Sequence, residues 1–474
     1  MTDFSAFNVW SILVLFGALL GSMLIANSLK RKIYFLRASL IPTAVLGGIL
    51  LLIVSLVYEA ITGEVFFNTN IFGGNGIAIM EAITYHALAL GFIATTFTSN
   101  RKMTKKEVTS SFDTGVTTVS TYLMQGTLGM GITILLSLFI TGVFPASGII
   151  LPFGYGQGTG QAMNYGNIYE MTYDFVGGRS FGLSIAALGF ISAALGGVVH
   201  LHILKRRHGF KRVDNESSVQ IFEHEIQGID EIPMNGSMDK MTIQVAVVLA
   251  TYGITYLLMF LLGELAPGLK SIIYGFNFLF GVLGAAVAKL IIRMLRKTKI
   301  MHKQYTNDFL MNRLSAFFFD LMIVAGIAAI RLDLLRDTWW IVLILGVVGA
   351  VSTYFYNRYV ARKLFPEYSE EQFLVMYGML TGTASTGIML LREIDPDFDT
   401  PAQNNLIYQN FPAIALGFPM MIVATMAPKM PVLMFILIFV YFVILNVVLF
   451  RRQIFKKRYQ RTPSDGDDAT EDTK

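Results

Sequence analysis

Apolar runs of about 20 residues alternate with short polar connections along the chain, which is the length needed to cross roughly 30 Å of hydrocarbon as helix. The pattern predicts eleven spanning helices, near 7–27, 41–61, 77–97, 116–140, 181–204, 241–264, 271–295, 309–330, 339–358, 405–427 and 431–450. Two stretches do not fit it. One is "GYGQGTGQAMNYG" at 154–166, with a glycine at every second position over its first seven residues; the other is "EQFLVMYGMLTGTASTGIMLLREI" at 371–394.

Charge placement gives the runs a direction. Lys and Arg cluster at 30–37, 101–106, 205–212, 293–303, 358–363 and 451–461, while the connections 62–76 and 141–150 hold none. Short cytoplasmic loops are enriched in these residues. The expected topology therefore starts outside and ends in the cytoplasm. On that count 144–176 must enter and leave from outside, and 371–394 from inside, so both are expected to be re-entrant hairpins. Five spans and a hairpin, twice, with an odd number of crossings per half, predict an inverted-topology repeat. The expected units are a first repeat at 1–204, a cytoplasmic linker at 205–240, a second repeat at 241–428, an extra span at 429–450 and a tail at 451–474. Short matches agree: "GTG" at 158–160 with "GTA" at 382–384, and "AALGF" ending at Phe190 with "IALGF" ending at Phe418.

Composition supports the membrane assignment. Of 474 residues, 54% are hydrophobic and 15% charged, and the mean hydropathy is +0.57. The fold class expected is an all-α polytopic membrane protein. Cysteine is absent, which excludes disulfides, thiolate metal sites and cysteine nucleophiles. The segment before the first apolar run carries an Asp and no basic residue, so a cleaved signal peptide is not expected. A glycosylation sequon at 235–237 falls in the expected cytoplasmic linker, and the acidic "SDGDDATED" of the tail is expected to be disordered.

Candidate chemistry concentrates at the two odd stretches. Non-helical backbone at membrane depth must be buried in protein or line a watery cavity. Glycine lets the chain turn sharply there, and interrupted helices present partial charges at their ends. Gly156, Gln157, Gly158, Thr159, Gly160 and Gln161 at one tip, with Thr383, Ser385 and Thr386 at the other, form the candidate substrate site. Thr159, Asn164, Thr381, Thr383 and Asp320 are the candidate Na⁺ ligands. Helix packing also uses small residues, but at a spacing of four rather than two. A nucleotide loop lacks its third glycine and its GKS or GKT, and a potassium filter needs four such loops.

Two ionisable residues lie near span centres, His86 and Asp320, at similar places in the two halves. Ion coordination or proton coupling is one reading of Asp320, and a buried structural pair is the other. His86 reads as a second candidate for proton coupling or as a hydrogen-bonded packing residue. Arg392, at the end of the second stretch, could clamp a substrate carboxylate, pair with Glu393 or Asp395, or reach the inner surface.

The ordered motifs "IPTAVLGGILLL" (41–52), "GYGQGTGQAMNYGNIYE" (154–170), "FGLSIAALGFISAALGGV" (181–198) and "TGTASTGIMLLREIDP" (381–396) resemble the sodium:glutamate symporter family. The likeness covers about residues 8–428. It implies a homodimer in the cell membrane, with Na⁺ as coupling ion and no organic cofactor, carrying glutamate or a related acidic amino acid by an elevator-like movement. It also implies a joint substrate and Na⁺ site at 154–160 and 381–386. The chain departs from the family pattern in its extra span and in Tyr155 and Gln157, where a Gly-His type of tip is typical. Coupled transport of another organic anion, with H⁺ or Na⁺ as driver, and an ion channel are the alternatives. Neither an enzyme nor nucleic-acid binding is expected, because no metal motif, catalytic triad or paired-Asp constellation is present.

Overall fold

The computed structural model describes residues 5–98, 104–208, 238–300, 303–396 and 398–454. The sequon, most of the expected linker and the acidic tail lie outside the described residues. Within them the protein is helical, with no strand. Ten helices are long and apolar enough to cross a membrane, and eleven if a bent pair near 402–426 is counted as one span.

The helices used below are α1 (Phe7–Lys32), α2 (Thr43–Thr62), α3 (Gly76–Phe97), α4 (Lys105–Phe139), α5 (Ile150–Tyr173), α6 (Gly178–His208), α7 (Lys240–Leu265), α8 (Asn277–Lys297), α9 (Asp308–Ala328) and α10 (Trp339–Leu364). They continue with α11 (Ser369–Thr381), α12 (Ala384–Arg392), α13 (Ala402–Tyr408), α14 (Asn410–Met426) and α15 (Pro431–Leu449). The eleven expected spans each correspond to one of these helices, or to the bent pair α13–α14. The largest difference is α4, which begins eleven residues before the expected 116. A capping box starts it: the Thr104 hydroxyl accepts from Glu107 N–H while the Glu107 carboxylate accepts from Thr104 N–H. Its early turns are polar, with Ser111, Asp113 and Thr114 buried against protein and Lys105, Val108 and Phe112 exposed.

Packing divides the helices into two groups. α1, α2, α3, α7, α8 and α9 form one; α4, α5, α6 and α10–α15 form the other. Within the first group α2 packs on α9 and α8 packs on α3. Within the second α6 packs on α10 and α14 packs on α4. Counted along the chain within 1–204 and within 241–428, these pairings join the second spanning helix of each part to the third of the other, and the fourth of each to the fifth of the other. The groups meet where α5 lies against α3 and α9. There the space a side chain would take at Gly160 is filled by Leu88 and Met322, and that at Gly326 by Thr159.

α15 is the last of the spanning helices among the described residues. It lies along α4 and α14, where Tyr441 donates to the Leu416 carbonyl over 2.7 Å and Phe435 rests on Gly131. Beyond its end, Arg451 pairs with Asp113 at 2.9 Å, which fixes the last turn beside the start of α4.

Candidate functional site

Both odd stretches fold back on themselves. α5 is broken at Gly158, whose φ of 79° and ψ of −168° lie outside the helical region and suit only glycine. The rings of Phe153 and Tyr165 stack at 4.0 Å, although twelve residues of unbroken helix would separate their backbones by about 18 Å. The second reversal falls between α11 and α12, at Gly382 and Thr383. Gly378 and Gly387 back directly onto each other across it. The first hairpin lies beside the start of α6, with Gly166 against Gly178. The second lies beside its later turns, with Tyr377 at Gly196 and Leu390 at Gly197. They therefore approach from opposite ends of α6.

The breaks meet on one turn of that helix. The Thr381 carbonyl and the Tyr155 ring both rest on Gly189, the Phe190 ring reaches Gly158, and Ala193 touches the space beside Gly382. α4 closes the opposite side. The Tyr122 hydroxyl donates to the Gly156 carbonyl over 3.0 Å, and Gln125 Nε2 donates to the Leu380 carbonyl over 3.0 Å. One helix thus holds a carbonyl near the end of each entering arm from residues three apart, which share a face. Gln125 Nε2 also reaches Thr353 Oγ1 at 2.7 Å. A carbonyl can only accept, so Leu380 dictates which way this amide faces. That leaves Gln125 Oε1 buried without a protein partner. Gln161 Nε2, on the returning arm of the first hairpin, is likewise buried and unpartnered.

The charges at this junction come from backbone. Two helix N-termini face it, the returning arm that starts at Thr159 and α12 with Thr383 as its cap, accepting from Thr386 N–H at 3.2 Å. Each supplies roughly half a positive charge. The carbonyl ends at Gly156 and Leu380 supply the opposite sign. An anionic or zwitterionic ligand with an accompanying cation suits such a mixture.

Several expected residues are elsewhere or otherwise engaged. Gly156, Gln157, Gly158, Gly160 and Thr381 are at the breaks, and Thr381 donates to the Tyr377 carbonyl. Thr159 faces α9 and donates to the Met322 carbonyl over 3.2 Å. Asn164 is about 9 Å further along its arm, with its amide on the Gly275 carbonyl and near Gln161 Oε1. Ser385 is exposed, whereas Thr386 is buried and its hydroxyl lies 3.1 Å from that of Thr383. Arg392 is exposed nine residues past the break, with its guanidinium over the Phe398 ring at 5.2 Å. It does not reach the junction, because α12 carries it away.

Asp320 is also absent from the junction. Met322 and Gly326 turn toward the first hairpin, and helical geometry puts Asp320 on a different face of α9. It is half-buried and has no hydrogen-bond or ion-pair partner among the described residues. His86 points to α7, where its Nδ1 lies 2.8 Å from the Tyr252 hydroxyl, so it is engaged in packing between helices. The five candidate Na⁺ ligands therefore do not form one shell, and among the described residues no cluster of three or more His, Asp or Glu suits a metal ion.

Two polar clusters were missed in the sequence. Arg179 binds Glu81 at 2.6 Å and Glu170 at 2.8 Å, tying the end of the first hairpin to α3. The buried His200 bonds Glu370 at 2.7 Å through Nε2, while its Nδ1 faces the Tyr354 hydroxyl at 2.9 Å and Arg358 at 3.1 Å. The Glu370 carboxyl, hydrogen-bonded by His200 and facing the Arg358 and Arg362 guanidinium groups, is held below the usual carboxylate range. Tyr122 and Gln125 were missed as well. Their signal was present in "TGVTTVSTYLMQG" (114–126), a density of hydroxyl and amide groups unusual for a lipid-facing helix. The chain matches no family model and no curated protein.

Proposed function

We infer that the protein is a secondary active transporter that carries glutamate or a related acidic amino acid with Na⁺ across the cell membrane. One observation carries this reading: two helical hairpins, one from each half, approach from opposite ends and bring their breaks together on Gly189. In the proposed topology the N-terminus is outside and the C-terminus cytoplasmic, so the hairpins are re-entrant from opposite faces and the halves are inverted repeats. The exchanged helix pairings described above support that symmetry.

In this reading the two helix N-termini bind the two carboxylates of the substrate. Its ammonium group and the Na⁺ take the carbonyl ends and Gln125 Oε1. No cationic side chain is needed at the junction, which agrees with the exposed position of Arg392. The group containing both hairpins is the moving part of an elevator, and its sliding surface is the small-residue contact of α5 with α3 and α9. The first group supplies the dimer scaffold. Asp320 and His86 face away from the junction, so Na⁺ rather than a proton is assigned the coupling role. Purified protein in liposomes is expected to accumulate labelled L-glutamate when Na⁺ is high outside. Uptake driven by a pH gradient alone would transfer the reading to an H⁺-coupled organic-anion carrier, and large unitary currents without a saturable substrate would make it a channel.

A further inference from the structure

The hydroxyl and amide groups of α4 continue well beyond Gln125. Ser110, Thr114, Thr118, Thr121 and Gln125 are spaced by four, four, three and four residues, which aligns them on one face over about 22 Å. Side chains of three other helices, with the loop before α11, meet them. The Ser110 and Tyr368 hydroxyls lie 2.9 Å apart, and Asn405 donates to Tyr368 and to Gln372 Oε1, each over 3.0 Å. Gln372 Nε2 reaches Thr114 Oγ1 at 3.3 Å, Thr118 donates to Gln409 Oε1 over 2.6 Å, and Thr121 donates to Asn357 Oδ1 over 3.4 Å.

This polar file starts at a cavity of about 410 Å³ lined by Lys105, Thr109, Asp113, Tyr368 and Arg452, among others. It ends at the paired hairpin breaks. Hydrogen bonding between helices could by itself explain a polar seam. Such a seam satisfies its own members, however, and this one does not. Gln125 Oε1 at the breaks is buried without a protein partner, as is Ser111 Oγ next to Ser110, and each such group is costly unless something polar meets it.

We propose that this face of α4 is the wall of the inner access route, along which substrate and cation pass between the hairpin junction and the cytoplasm when α4 parts from α10, α11 and α13. The proposal rests on the transport reading for what moves, but the route itself is tested separately. Water and polar solutes replace, one for one, the side-chain hydrogen bonds that the parting breaks. The mouth carries both signs, Lys105 and Arg452 beside Asp113 and Glu367, which suits the passage of an anion together with a cation.

The chain has no cysteine, so single cysteines can be placed in the natural sequence. Thr114→Cys, Thr118→Cys and Thr121→Cys are each treated in inside-out vesicles with a membrane-impermeant cationic methanethiosulfonate, with Leu128→Cys and Leu135→Cys on exposed faces of the same helix as controls. Only a hydrated thiol ionises and reacts, so the three file positions should react at least about tenfold faster than the controls and slow down when Na⁺ and L-glutamate are both saturating. Thr121→Cys loses only the weakest of the bonds above and serves if Thr118→Cys does not fold. Equal, negligible labelling of all five positions would overturn the route. Na⁺-driven uptake by the wild type alongside such negative labelling would leave the transport reading standing without it. Labelling of the file in a protein that takes up no acid would uphold the route and sink the transport reading.

Discussion

The contact of both breaks with Gly189 makes Gly189→Ala the most informative single substitution. An alanine Cβ there would lie 2.5 Å from the Thr381 carbonyl oxygen, 3.1 Å from Tyr155 Cδ2 and 3.3 Å from Tyr155 Cα. The nearest atom is backbone at the end of α11 and cannot rotate away as a side chain would. Restoring ordinary contact requires the second break to retreat by about 0.7–1 Å. Overpacking of this kind costs about 1–3 kcal/mol. If that strain falls on the geometry that holds ligand, the dissociation constant rises about 5- to 150-fold. The assay is thermal melting of the purified variant over a titration of L-glutamate in Na⁺, with uptake by liposomes in parallel. Gly76→Ala provides the matched control, because its Cβ would meet the Phe67 carbonyl at 2.2 Å in the other helix group. It should lower stability and leave affinity alone. A folded Gly189→Ala variant whose affinity stays within about twofold of wild type would refute the claim that the junction is the binding site.

Other substitutions separate the remaining parts of the account. Gln125→Leu strips the donor from Leu380 and Thr353 and should cost about 1–3 kcal/mol in thermal or denaturant unfolding, together with loss of Na⁺-dependent ligand stabilisation; retention of that ligand effect would remove Gln125 from the site. Asp320→Asn should keep Na⁺-driven uptake and not lower the melting temperature, since a lone carboxylate in a span costs about 2.5–3.5 kcal/mol; abolished uptake would bring Asp320 back as a coupling residue. Arg179→Ala leaves Glu81 and Glu170 facing each other without their shared cation, and unfolding measurements should show a loss of about 1–3 kcal/mol after allowance for the partial exposure of the triad. The Glu370 carboxyl is depressed in the folded protein from an ordinary value of 4.5, so its stabilising contribution is present above that value and is lost as pH falls through the folded one. Melting curves of Glu370→Gln and wild type should therefore converge in acid, and a gap independent of pH would contradict the pairing.

Much of this architecture was readable from periodicity and charge. The spans follow from apolar length, and the two interruptions stood out because their glycines and hydroxyls break that pattern; the chain reverses within both. What escaped was three-dimensional. The first eleven residues of α4 are too polar for a hydropathy window, yet they form helix because their hydroxyls bond to preceding carbonyls, to Tyr368 in the loop before α11 and to Gln372 of α11. Tyr122 lies far in sequence from Gly156, and Gln125 from Leu380, so their grip on the two breaks could not be inferred. Arg392 and Asp320 were singled out by charge and by position along the chain, and neither says which face of a helix a residue occupies. Asn164 has the right chemistry for a ligand, but the turn at Gly158 delivers it to Gly275.

The central claim is that the paired breaks bind an acidic amino acid together with Na⁺. Thermal melting of the wild-type protein with L-glutamate and other amino and organic acids, each with and without Na⁺, tests it most directly. A ligand that binds only the folded protein stabilises it by about 2.7 kcal/mol at a hundred times its dissociation constant. The account predicts a rise in melting temperature with an acidic amino acid that grows with its concentration and disappears when Na⁺ is replaced by choline. A rise that is indifferent to Na⁺, or none with any acid, would contradict it.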